Sequence, residues 1–378
     1  MNKVTSFLKK EPMLTVSLAV ALISLFITPP SRELLSSIDW HTLATLFMLL
    51  SVLEGFKTHN IFAPLIRLTS RIKSMRRLTA FFVYSVFLSS MFVTNDVSLI
   101  IFVPLTIILF RAGKKERYII PVLTLENVAA IRGSLLTPFG SPQNLYLFTR
   151  SGIPVKDFLL TMLPLWLGSA VLLYVFILFL YRKDLGQRIE DGGETEQNQG
   201  DVKNVGLRRA VHIILFVAII ISIVTRSSLW PYLAASVFVL LLIFDPRILL
   251  KTDYVLLLTF LCFFVFSSSI CRNPLIADFL SRVVSGNEYW CSILLSQVIS
   301  NVPASIVLWP FTKNLRALLY GLDSAGLCSI IGSLASVINL RIYVREYPGR
   351  TLSFIRTFQI ISLIFFAIIV IPQFLLCR

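Results

Sequence analysis

Long apolar runs separated by short polar loops set the pattern of this chain, near residues 12–29, 39–56, 158–181, 208–225, 229–244, 253–270 and 352–376. Most are long enough to cross about 30 Å of hydrocarbon as helices, which predicts an all-α, polytopic membrane protein. Residues 78–94 and 97–111 form a further apolar pair, read as a hairpin that enters and returns on one side. One segment departs from the pattern. Gly133 to Phe148, GSLLTPFGSPQNLYLF, sets two Pro, two Gly, a Gln and an Asn where an unbroken helix would run. A backbone broken at that depth leaves N–H and C=O groups unpaired, costing several kcal/mol each unless protein, water or an ion satisfies them.

The interruption recurs as part of a longer repeat. IDWHTLATLF (38–47) aligns with TDYVLLLTFL (252–261), each with Asp, an aromatic, and Thr six residues after the Asp. TNDVSLIIFVP (94–104) aligns with SNVPASIVLWP (300–310), each an Asn with Pro nine residues on. FGSPQNLYLF (139–148) aligns with IGSLASVINL (331–340), each a Gly-Ser that opens a second apolar run. Five crossings separate Asp39 from Asp253, so the second copy is predicted to be upside down relative to the first. The expected architecture is two inverted-topology repeats, each with a re-entrant helical hairpin and an interrupted transmembrane helix. The first covers 1–181 (hairpin about 78–111, broken helix about 118–150) and the second 229–378 (hairpin about 288–316, broken helix about 322–345). A connector and linking span, 182–228, join them.

Charge orients this arrangement. The formal net charge is +15, but the basic residues sit in short loops rather than in aromatic-interleaved patches, which excludes a nucleic-acid partner. With the N-terminus in the cytoplasm, 25 of the 35 Lys and Arg fall in inside segments and nine outside, leaving Arg132 within a span. The C-terminus is then outside. The Lys3, Lys9 and Lys10 cluster before the first run resembles a signal peptide, but TPPSRELL provides no small-x-small cleavage site, so a retained span is expected. Residues 57–77 are too basic to cross and suggest an amphipathic interfacial helix. The stretch 182–209 is Gly- and charge-rich, as suits a flexible cytoplasmic connector. Five cysteines without C-x-x-C spacing and three scattered histidines give neither a disulfide framework nor a zinc pattern, so no metal is expected beyond a transported Na⁺.

The candidate chemistry lies at the hairpin tips and breaks. Thr94-Asn95 and Ser300-Asn301 at the tips, with Gly140-Ser141 and Gly332-Ser333 at the breaks, offer hydroxyl, amide and free carbonyl oxygens that suit Na⁺. Exposed helix N-termini and amide N–H groups suit an anion. Asn95 and Asn301 are also open to a reading as helix caps alone, but capping would not demand a matched break in the next span, so the functional reading is favoured. Asp96 has only Val302 as its counterpart and is a functional candidate, a second cap or an ion-pair partner of Arg132. Arg132 either meets an anionic substrate or, as favoured, neutralises Asp96 or Glu126; with Glu126 it forms the candidate charge-coupling set. Glu54 and Asp278 are read as structural.

FVTNDVSLIIFVPLT, GSLLTPFGSPQNLYLF, SQVISNVPASIVLWP and IGSLASVINL resemble the hairpin and broken-helix motifs of the ion transporter superfamily. That superfamily holds the citrate-transporter-like, divalent anion/sodium symporter, arsenite-pump and NhaD-type antiporter families. The similarity, greatest to YbiR-type bacterial inner-membrane proteins, runs over most of the chain. It implies a bacterial inner-membrane location, elevator-like motion of the hairpin domain, and a substrate and cation site at Thr94, Asn95, Gly140, Ser141, Asn144, Ser300, Asn301, Gly332 and Ser333; Asp96, Gln143 and Ser336, read from this chain itself, complete the candidate set. Ser336 stands where relatives commonly have Asn, and the tips read Thr94-Asn95-Asp96 and Ser300-Asn301-Val302 rather than Ser-Asn-Thr twice.

The expected function is secondary transport: cation-coupled uptake or exchange of a small anion, carboxylate-like or inorganic oxyanion. The alternative is cation/proton antiport. The expected partners are that substrate, a coupling Na⁺ or H⁺ and the bilayer, with a homodimer as one compatible assembly and no other cofactor. The chain has no H-E-x-x-H, Ser/His dyad or paired catalytic Asp at membrane depth, so no enzyme is expected, and no G-x-x-x-x-G-K-[ST] for ATP.

Overall fold

A computed structural model describes residues 12–29, 34, 36, 38–59, 61, 72, 74–182 and 205–377. The expected interfacial helix at 57–77 and the connector 182–209 lie largely outside the described residues, as does the basic start of the chain. The described residues form seventeen α-helices in chain order: α1 (Pro12–Ile27), α2 (Trp40–Thr58), α3 (Met75–Val93), α4 (Asn95–Ala112), α5 (Ile119–Gly133), α6 (Pro142–Ser151), α7 (Val155–Leu180), α8 (Val205–Thr225), α9 (Trp230–Phe244), α10 (Pro246–Lys251), α11 (Tyr254–Arg272), α12 (Pro274–Val284), α13 (Glu288–Ile299), α14 (Asn301–Leu308), α15 (Leu315–Ala325), α16 (Leu334–Glu346) and α17 (Thr351–Cys377). Five of them, α3, α7, α8, α11 and α17, are long and apolar enough to cross a membrane. Large apolar side chains stand exposed along them, as a lipid solvent allows: Val171 and Phe179 on α7, Ile214 on α8 and Ile371 on α17.

Local chemistry sets the helix ends. Asp39 caps α2 by accepting from the Thr42 N–H (3.0 Å), and Asp253 caps α11 by accepting from the Leu256 N–H (2.9 Å). Thr45 and Thr259, each six residues beyond its Asp, donate to the His41 and Val255 carbonyls at 2.8 Å. The two aligned segments therefore share backbone and side-chain geometry as well as sequence. Asn314 caps α15 through the Ala317 N–H (3.0 Å), so that helix starts at Leu315 and not near 322 as the apolar pattern suggested. Glu288 is buried and accepts from the Lys313 and Asn314 N–H groups (3.0 and 3.1 Å), which draws together the open ends of α13 and of the segment after α14. With 12 residues, α13 is about 18 Å long and cannot cross the hydrocarbon by itself, whereas α3 has 19 residues.

Packing interleaves the halves. The second part of the first broken helix, α6, lies against α14 and α15, and its counterpart α16 lies against α4 and α5. Each half thus lends its last half-helix to the other. Two apolar clusters follow this exchange: one joins α3, α4 and α5 to α7, α16 and α17, the other joins α2, α6, α8 and α11 to α13, α14 and α15.

The first arm of each hairpin meets the adjoining half-helix at a glycine. A Cβ on Gly133 would fall 2.0 Å from the Phe87 carbonyl oxygen, and one on Gly321 would fall 2.4 Å from that of Tyr289. Such close backbone approach is how apolar helices gain contact in lipid. Gly133→Ala and Gly321→Ala are each expected to cost about 1–3 kcal/mol by overpacking. Gly168→Ala, where a Cβ meets nothing within 4 Å, serves as the neutral control. Thermal unfolding in detergent checks this; equal melting temperatures for all three would contradict the packing account.

Candidate functional site

Both hairpin tips hold a residue in an unusual backbone conformation. Thr94 has φ 69°, ψ 157° and Ser300 has φ 68°, ψ 161°. That region is nearly exclusive to Gly and costs about 1–3 kcal/mol for other residues, so the surroundings must hold it in place. They do so identically: the Asn95 N–H donates to the Gly140 carbonyl (3.3 Å) and the Asn301 N–H to the Gly332 carbonyl (3.2 Å). Each tip is thereby fastened to the break in its own half. At the breaks, Gly140 donates to the Thr137 carbonyl and Gly332 to the Ser329 carbonyl, and Ser141 and Ser333 are extended residues from which α6 and α16 begin. The glycines are required here. A Cβ would lie 2.1 Å from the Ser134 carbonyl oxygen at Gly140 and 2.2 Å from that of Ala325 at Gly332.

The N-cap positions belong to Thr94 and Ser300, neither of which makes a side-chain cap bond; the capping alternative is met in part by Asn95, whose side chain takes an open helix N–H, and not by Asn301. Asn95 is the first residue of α4, and its Oδ1 accepts from the Asp96 N–H (2.9 Å); Asn301 reaches the Leu322 carbonyl through Nδ2 (3.5 Å). Several buried oxygens around the tips and breaks have no hydrogen-bond partner among the described residues: Asp96 Oδ1, Ser141 Oγ, Asn144 Oδ1, Ser300 Oγ and Ser333 Oγ. Such groups are few in folded proteins, and their concentration at one kind of place calls for a polar ligand or water.

A cavity of about 480 Å³ opens beside the first tip. Thr94, Asp96 and Ser141 line it, as do Leu256 of α11 and Leu334 of α16. Its wall also carries Glu54, Lys57, Lys251 and Asp253, giving three carboxylates to two ammonium groups. Leu256 and Leu334 also border a much smaller space at the second tip, lined by Ser300 and Val302. The two tips thus look onto spaces that share a wall.

The structure separates Arg132 from the acids that the sequence paired with it. Arg132 is fully buried, donates from Nε to Ser169 Oγ (2.9 Å) and from Nη1 to the Asp323 carbonyl (3.5 Å), and the carboxylate acting on it is that of Asp323. Glu126 instead accepts from the Thr106 hydroxyl. The expected neutralisation of Asp96 or Glu126 by Arg132 is thus replaced by a contact between halves, since sequence spacing constrains only neighbours on one helix. Gln143, on α6, donates to Asp323 Oδ1 (3.1 Å) and joins the same group. Ser336, the counterpart of Asn144, accepts from Asn127 Nδ2 (2.9 Å), and Asn339 Nδ2 donates to the Leu123 carbonyl (2.7 Å). Asp323, Asn127 and Asn339 are polar contributors that sequence reasoning passed over, although an acid or amide within an apolar run is itself a signal.

Arg132 and Asp323 are both buried and attract each other across the halves without a direct contact between their charged groups, Arg132 Nη2 and Asp323 Oδ2 each lacking a hydrogen-bond partner among the described residues. Asp323→Asn and Arg132→Gln are each expected to cost about 1–3 kcal/mol, and the double substitution less than their sum. Thermal unfolding of the four proteins measures the coupling; strictly additive losses would show that the two charges do not interact.

The sequence model of the citrate transporter family matches residues 7–332. The chain is 32% identical over 327 residues to the inner membrane protein YbiR of Escherichia coli K12, covering 84% of each chain. It is 29% identical over 332 residues to the uncharacterized transporter MJ0456 of Methanocaldococcus jannaschii, covering 87% of this chain and 88% of that one. With its multiple apolar helices, this is a membrane-embedded, multi-pass protein, and it belongs to the citrate transporter family.

Proposed function

We propose that the chain is a secondary active transporter that couples cation movement to uptake or exchange of a small anion, carboxylate-like or an inorganic oxyanion. The observation that carries this is the set of unpartnered buried oxygens at two matched tip-and-break junctions, Ser141 and Asn144 in one half and Ser300 and Ser333 in the other. Hard oxygen donors of this kind suit Na⁺, while the N-termini of α4, α6, α14 and α16, which start at the same junctions, favour an anion. The cavity wall has more carboxylates than ammonium groups, so an anion entering alone meets no net positive field. An accompanying cation supplies it, which is the physical reason for coupling. The name of the matching family supports a carboxylate substrate.

In this reading the halves are inverted repeats, and Thr94, Asn95, Asp96, Gly140, Ser141, Gln143 and Asn144 share one composite site with Ser300, Asn301, Gly332, Ser333 and Ser336. Each hairpin is re-entrant, with its tip at the break of the adjoining helix. The N-terminus is cytoplasmic, and the cavity bearing Lys57 and Lys251 opens inward. Arg132 and Asp323 hold the halves in register and do not themselves take the substrate.

One observation favours cation/proton antiport as the second reading. Asp96 is a carboxylate on the cavity wall with an unpartnered oxygen, and the other tip has Val302 in its place. Protonation of Asp96 would compete with cation binding there. Asp96→Asn keeps the shape and removes the charge. Uptake and pH-gradient dissipation are measured in proteoliposomes from about pH 5.5 to about pH 8.5, where such competition is visible. A cation-coupled anion carrier is expected to retain uptake in Asp96→Asn with an altered pH profile, and to lose it about 100-fold or more in Asn95→Ala and Asn301→Ala. Wild-type rates in either Asn variant would refute the composite site. Complete loss of exchange in Asp96→Asn, with no anion uptake by the wild type, would establish antiport.

A further inference from the structure

Away from the tips, the fold assembles a second group of ligating side chains that sequence spacing gave no hint of. His59 ends α2, His212 lies in the first turns of α8, and Asp245 sits at the corner between α9 and α10. Their donor atoms lie within 4.8 Å of one another, and His59 Nε2 is 2.6 Å from Asp245 Oδ2. The absence of a zinc pattern in the sequence is thus no guide to the folded chain.

The state of His212 points to a ligand. Its ring is fully buried, and Nδ1 lies 2.8 Å from the Arg208 carbonyl. A carbonyl can only accept, so Nδ1 carries the proton and Nε2 presents a bare lone pair. That Nε2 has no hydrogen-bond partner among the described residues. An imidazole whose outer nitrogen is held by a carbonyl while the inner one is free is the arrangement that prepares histidine for a metal. Gly55 makes the seat: a Cβ there would fall 1.9 Å from His212 Cδ2. Arg209 Nε donates to the His59 carbonyl (2.8 Å), which fixes the backbone of the second imidazole.

We propose that His59, His212 and Asp245 form a binding site for a late first-row divalent metal ion, of which Zn²⁺ is the type, bracing α2 against α8 and the α9–α10 corner. Two imidazoles and one carboxylate suit such an ion and not Mg²⁺ or Ca²⁺, which take oxygen ligands. Three protein ligands leave the fourth tetrahedral position to water. Binding displaces the proton that His59 shares with Asp245, and it competes with the Arg208 guanidinium, whose Nη1 lies 3.9 Å from the same Asp245 oxygen. The site is distinct from the transport cavity. None of its three residues lines that space.

The test uses the full chain purified on a tag without histidine, stripped with a chelator and titrated with Co²⁺ and then Zn²⁺. The wild type is expected to retain one equivalent of Zn²⁺ per chain after desalting and to show intense visible bands of tetrahedral Co²⁺ that Zn²⁺ abolishes. Its unfolding temperature should rise by several degrees with Zn²⁺. His212→Gln and Asp245→Asn should each weaken binding at least as much as the ~10-fold to ~100-fold that loss of an outer partner costs. Equal retention in the variants would overturn the proposal. Should the variants not fold, the wild type decides alone: no stoichiometric metal and no tetrahedral Co²⁺ spectrum would overturn it as well.

Discussion

The structure depends on two hydrogen bonds made where buried backbone would otherwise be left unpaired. The Asn95 N–H reaches the Gly140 carbonyl, and the Asn301 N–H reaches the Gly332 carbonyl. A helix interrupted inside a protein is tolerable only if something polar arrives at the break, and in each half that something is the tip of the preceding hairpin. The same bonds hold Thr94 and Ser300 in a conformation they would not adopt freely. Strain at the tips and satisfaction at the breaks are therefore one device used twice.

Holding the device together requires contacts between halves, and these are polar as well as apolar. Asn127 with Ser336, Asn339 with the Leu123 carbonyl, and Gln143 with Asp323 all cross from one half to the other. Neither half could bury these groups alone without leaving them unsatisfied. Exchange of α6 and α16 between the two apolar clusters serves the same end. A site built at such a seam gains ligands from both halves, and relative motion of the halves would alter it.

Much of this was legible in the sequence, for physical reasons. Apolar runs announce crossings because lipid tolerates little else, and Gly-Ser beside Pro142 announces a break because such residues cannot continue a helix. The Asp39 and Asp253 segments were legible as a pair because a cap and the threonine six residues on recur together. The left-handed backbone at Thr94 and Ser300 was not, since neither residue is glycine and only the tip contacts impose it. The partner of Arg132 was not legible either: Asp323 lies 191 residues away, and no local periodicity joins them. The start of α15 was misplaced because its cap, Asn314, stands in a polar stretch that the apolar pattern ignores.

The central claim is that two oppositely oriented copies of one unit meet to form one site, and the most direct measurement is the sidedness of the hairpin bases. Ser74 caps α3 and Ser285 precedes α13. In a variant lacking the five native cysteines, all of them free thiols, single cysteines at 74 and 285 are labelled with a membrane-impermeant maleimide in oriented vesicles. The account predicts that position 74 reacts only from the cytoplasmic face and position 285 only from the opposite face. Labelling of both from the same face would contradict the inversion and the composite site that rests on it.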